Sequence, residues 1–65
     1  MYIITVLNEP GLLISYSTMF NFTISTEKNA AIQFLTDDEV NEAMARIEAV
    51  KKAKGTKIKF QIIEL

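Results

Sequence analysis

Sixty-five residues are enough for one domain and one small core, because chains divide into separate cores only well beyond this length. An apolar fraction of 49% with two glycines and one proline excludes a disordered chain, and a formal net charge of −1 gives little long-range attraction for a polyanion. Cysteine and histidine are both absent, which excludes disulfides, the usual zinc ligand sets, the thiol nucleophile and the imidazole base; no cofactor is expected.

The first residues, Met1 to Leu7, are apolar without a basic leader and run straight into Asn8, Glu9, Pro10 and Gly11, so they do not fit a secretory signal and a cytoplasmic location is expected. No apolar run approaches the roughly 18 residues of a membrane-spanning helix. Without export, the sequon Asn21-Phe22-Thr23 is a chance match.

Tyr2 to Leu7 includes the β-branched run Ile3, Ile4, Thr5 and Val6 and reads as a strand. Glu9-Pro10-Gly11-Leu12 suits a type II turn, with proline preset for the second position and glycine able to take positive φ at the third. Leu12 to Ser17 is then the returning strand of a hairpin. Phe20, Phe22 and Ile24 alternate with Asn21, Thr23 and Ser25, the pattern of a half-buried strand. This is either a third strand or the continuation of one long strand with a bulge near Ser17 to Met19. Glu27 to Leu35 carries both periods: Ala30, Ala31 and Phe34 at helical spacing, Ile32 and Phe34 at strand spacing.

Thr36-Asp37-Asp38-Glu39 is a capping box, in which Thr36 accepts from the amide of Glu39 and the Glu39 carboxylate reaches back to the amide of Thr36. The helix is predicted to begin at Asp37, to present Val40, Ala43, Met44, Ile47 and Val50 as one stripe, and to close at Gly55. Lys57 to Ile62 alternates again, with Ile58, Phe60 and Ile62 on one face of a last strand. The expected architecture is a single α+β domain over residues 1–65: a small antiparallel or mixed sheet of three to four strands, in ββ(β)αβ order, with one amphipathic helix packed on one face.

Asp37, Asp38, Glu39 and Glu42 invite a magnesium or paired-carboxylate reading. Acidic residues in a first helical turn are instead favoured by the macrodipole, and the two separate glycines supply no phosphate loop. No catalytic residue is assigned, and the chain is not expected to be an enzyme. Six of the seven basic residues lie from Arg46 to Lys59, so Lys51, Lys52, Lys54, Lys57 and Lys59 form the candidate contact for nucleic acid. The same dipole favours lysines at a helix C-terminus, where Glu48 can pair with Lys51 and Lys52, and Glu42 with Arg46. Lys57-Ile58-Lys59-Phe60 beside Tyr2 and Tyr16 is a poor base-stacking platform, because Phe60 is in phase with the core residues Ile58 and Ile62.

The more informative feature is an apolar surplus. With Ile4, Val6, Ile14, Tyr16, Ile58, Phe60 and Ile62 beneath the helix, Ile3, Leu7, Leu13, Ile63 and Leu65 point to the other side of the sheet, and one helix cannot cover both. Either that face is a contact surface or the segment from Met19 to Leu35 folds across it. The candidate partner or self-association surface is Ile3, Leu7, Leu13 and Ile63, with Tyr2 and Tyr16 as aromatic anchors.

Through Phe22-Thr23, Ala30-Ala31-Ile32-Gln33-Phe34, Thr36-Asp37-Asp38-Glu39-Val40 and Ala43, the chain resembles small uncharacterised proteins encoded by bacteriophages and prophages. The resemblance implies a strand hairpin, one helix and a last strand, and a phage or bacterial origin; no catalytic residue carries over. Many phage proteins of this size are inhibitors or modulators of host proteins. The expected function is therefore a protein-protein interaction module, a homodimer, that acts by steric occlusion of a host protein, with a nucleic-acid-binding accessory protein as the alternative.

Overall fold

The structure, a computed structural model, describes residues 1–17 and 21–65, with the side chains of Pro10 and Ser17 left out. It is a small α+β fold. The strands β1 (Tyr2–Val6), β2 (Glu9–Ser17), β3 (Phe22–Ser25) and β4 (Phe60–Glu64) form one antiparallel sheet in the order β3-β2-β1-β4, with one α-helix, α1 (Asp37–Lys54), and a short 3₁₀ turn at Lys28–Ala30.

The first hairpin turns earlier than expected. Leu7 and Asn8 make the turn, with Asn8 at φ 67, a left-handed conformation that the short polar side chain of asparagine tolerates. Gly11 has no positive φ, and Glu9, Pro10 and Gly11 already belong to β2. Val6 pairs with Glu9 and Thr5 with Leu13, so residues 10–12 bulge out of the ladder. A proline, which cannot donate to a ladder, is tolerated at such a place.

Of the two readings for Tyr16 to Ser25, the structure takes separate strands: β3 pairs antiparallel with β2, with the register shift between Ile14 and Tyr16. Phe20 and Met19 lie outside the described residues. Beyond that shift β2 leaves β1. The segment after the 3₁₀ turn takes its place: the Ile32 amide donates to the Ile14 carbonyl at 3.0 Å, while Tyr2 and Phe34 exchange both backbone hydrogen bonds at 2.8 Å. The ambiguous segment thus resolves into a short 3₁₀ turn followed by an extended strap.

Helix α1 follows its local signals closely. Thr36 accepts from the Glu39 amide at 3.2 Å, but the Glu39 carboxylate reaches the amide of Leu35 at 3.0 Å, one residue before the expected Thr36. Gly55, at φ 70, donates to Lys52, and Thr56 donates to Lys51, the paired bonds of a Schellman ending. Val40, Ile47 and Val50 are buried, with Ala43 and Met44 half-buried beside them. The core is built on Ile4, Ile14, Val40 and Ile47, ringed by Tyr2, Phe22, Ile24, Ile32, Phe34, Phe60 and Ile62.

Two residues assigned beneath the helix are not there. Tyr16 is 57% exposed, because it follows the β2 register shift that breaks the alternation begun at Ile14. Ile58 is exposed because β4 starts at Phe60 rather than Lys57. No helix among the described residues is long and apolar enough to cross a membrane.

Candidate functional site

On the sheet face away from α1, the ladder aligns Ile3 with Ile63, Thr5 with Gln61, and Leu13 with Thr5. The 3₁₀ turn and the strap after it border this face beside Leu13, which is 3% exposed. Beside it remains a groove of about 370 Å³ lined by the apolar residues Ile3, Leu13, Ala31 and Leu65. Its polar rim is Lys28, Asn29 and Gln33. Leu65 is 65% exposed, and Ile3 and Ile63 are half-buried.

The six residues expected to form a contact surface are therefore divided. Ile3 and Ile63 are neighbours on the face away from the helix, and Leu7 is exposed in the first turn. Leu13 forms part of the groove floor but is buried, so it cannot offer the open surface assigned to it. Tyr2 packs against the helix-side core, and its hydroxyl donates to the Asp37 carboxylate at the start of α1. That bond, together with partial desolvation and the negative charges of Asp37 and Glu64, pushes the Tyr2 phenol up to about 12. Tyr16 stands exposed on β2.

No periodicity marked Ala31, Lys28, Asn29 and Gln33 individually as lining residues, although the segment that holds them was one of the two expected covers of this face. They reach the groove because the strap is hydrogen-bonded between β1 and β2, a pairing that local periodicity does not encode.

The lysines are divided too. Lys51 pairs with Glu48 at 2.9 Å and is largely covered. Lys54 donates to Asn21 Oδ1 at 2.9 Å and lies 5.7 Å from the centre of the Phe22 ring. Lys52, Lys57 and Lys59 are exposed. Glu42 pairs with Arg46 at 2.7 Å, so two of the expected helix-surface ion pairs form. Asp37 and Glu39 are engaged with Tyr2 and the Leu35 amide. Among the described residues, no three acidic side chains are grouped to hold a metal ion.

Compared with protein-family models, curated proteins and solved structures, the chain matches none.

Proposed function

We propose that this chain is a small protein-binding module that acts by steric occlusion, holding an apolar anchor of a partner protein in the groove opposite the helix. The groove carries this reading. Its floor of Ile3, Leu13, Ala31 and Leu65 offers apolar surface for one or two side chains, while Lys28, Asn29 and Gln33 at the rim supply a cation and two amides to orient a flanking carboxylate or peptide group. Protein contacts concentrate their energy in such apolar anchors seated in a pocket with a polar surround. The resemblance to phage-encoded proteins favours a host protein as the target. In the nucleic-acid alternative, Lys51 and Lys54 would have to give up the contacts they already make, leaving Lys52, Lys57 and Lys59 as the main phosphate contacts.

The test is a tagged pull-down from nuclease-treated bacterial lysate at low and high salt, comparing the wild type with Leu65→Asp. A single host protein held at both salts by the wild type and lost from the folded variant supports the reading, because apolar contacts are little weakened by salt. Nucleic acid retained only when nuclease is omitted, and released steeply by salt, would replace it with the lysine reading.

A further inference from the structure

The β4 edge carries an inference that does not depend on what fills the groove. β4 is an outer strand of the sheet. Its register with β1 runs unbroken from Tyr2 opposite Glu64 to Val6 opposite Phe60, with no bulge and no proline. Natural edge strands are protected by shortness, bulges, prolines, charged side chains or a covering segment; from Phe60 to Ile63 β4 carries no bulge, proline or charge, and a regular stretch of that kind is a template for another strand. The opposite edge, β3, is only four residues long and joins β2 through a register shift.

The hydrogen bonds show which groups of β4 face outward. The Leu65 amide donates to Met1 and the Leu7 amide to Lys59, both at 2.8 Å, while Tyr2 spends its own backbone groups on Phe34. In an antiparallel ladder, bonded and non-bonded pairs alternate. Gln61 and Ile63 therefore face β1, and the N–H and C=O groups of Phe60, Ile62 and Glu64 point to the open edge. Among the described residues, no hydrogen bond to these groups is made from outside the sheet.

We propose that β4 pairs antiparallel with β4 of a second copy about a two-fold axis through Ile62. Phe60 then lies opposite Glu64 of the other copy and Ile62 opposite itself, a register that uses every outward group in about six hydrogen bonds. The pairing joins two four-stranded sheets into one continuous sheet and brings the two Ile63 side chains to diagonal neighbours on the face away from the helices. Charge selects this partner and direction. Lys57 and Lys59 precede the strand and Glu64 ends it, so antiparallel self-pairing sets the acidic end of each copy beside the basic end of the other, within a Debye length of about 10 Å. Helix α1 lies mainly over β1, with Phe60 and Ile62 of β4 reaching the core beneath it. The two helices would stand about three strand spacings, or ~14 Å, apart, beyond the 8–10 Å of packed helices, so they do not obstruct the pairing.

The test is sedimentation equilibrium of the wild type and of Glu64→Pro. The Glu64 amide faces the open edge, so proline there blocks the second copy without removing a bond to β1. The expected result is a wild-type mass twice the 7.4 kDa of the chain and a Glu64→Pro mass of 7.4 kDa with an unchanged circular dichroism spectrum. Glu64→Lys should weaken the dimer several-fold by setting a positive charge beside the basic end of the other copy at both symmetry-related ends, an effect that added salt reduces. A wild-type chain that stays at 7.4 kDa up to its solubility limit, or a dimer that survives in folded Glu64→Pro, overturns the proposal. If Glu64→Pro unfolds, amide exchange in the wild type decides. Protection of Phe60, Ile62 and Glu64 that rises with protein concentration supports the pairing, and exchange independent of concentration refutes it.

Discussion

Phe22 and Phe60 meet edge to face, with ring centroids 5.3 Å apart and planes at 84°, although they belong to the two opposite edge strands of the sheet. In a flat four-stranded sheet these strands would be about 14 Å apart. The contact is possible because β2 shifts register between Ile14 and Tyr16 and carries β3 with it, while the strap at Phe34 takes over the pairing with Tyr2. Lys54 above Phe22 ties the end of the helix to the same place.

This contact predicts energetic coupling across the sheet. Replacing either half-buried ring by alanine should cost about 3 kcal/mol in urea unfolding. The double variant should cost about 1 kcal/mol less than the sum of the two, the coupling typical of an aromatic pair.

Leu13→Glu should unfold the protein rather than free a contact surface. A carboxylate at a site 3% exposed is largely desolvated, with Lys28 the one cation among its groove neighbours, and the expected loss of more than ~4 kcal/mol is a large share of the stability of so small a domain. Leu65→Asp, by contrast, should leave the circular dichroism spectrum unchanged, because Leu65 is already mostly in solvent.

Thr5 is 1% exposed, and its Oγ1 has no hydrogen-bond partner among the described residues. Thr5→Val keeps the shape and the β preference while removing a desolvated hydroxyl. It should stabilise the fold by about 1 kcal/mol, read as a higher urea midpoint with an unchanged slope.

Thr36→Ala should cost about 1 kcal/mol by removing the acceptor for the Glu39 amide. Glu39→Ala should cost a comparable amount through the Leu35 amide and the lost negative charge at the helix start.

Tyr2 supplies a pH signature. Its phenol is raised from 10.0 to about 12 by the hydrogen bond to Asp37 first and by desolvation and neighbouring negative charge after it, so the fold favours the neutral form. The stability this bond contributes is complete below about pH 10 and is lost as pH rises through about 12. In a Tyr16→Phe background the remaining phenolate absorbance should appear near pH 12. Adding Asp37→Asn should bring it down.

The helix and the strand content were legible in the sequence because their signals are local. Thr36 and Gly55 mark the ends of α1, and the spacing of Val40, Ala43, Met44, Ile47 and Val50 identifies its buried face without reference to any other element. Alternation likewise identifies Phe22 to Ser25 and Phe60 to Ile62 as strand. Tertiary structure alone decided where the alternation breaks, at the bulge of residues 10–12 and the shift before Tyr16, because a bulge changes which face a residue occupies without changing the residue. It also decided that Leu13 is covered, that Ala31 and Gln33 line a groove, and that β4 is an edge. Each depends on which distant strand supplies a hydrogen-bond partner, and the energy of that choice lies in pairings between segments far apart in the chain rather than in any stretch of it.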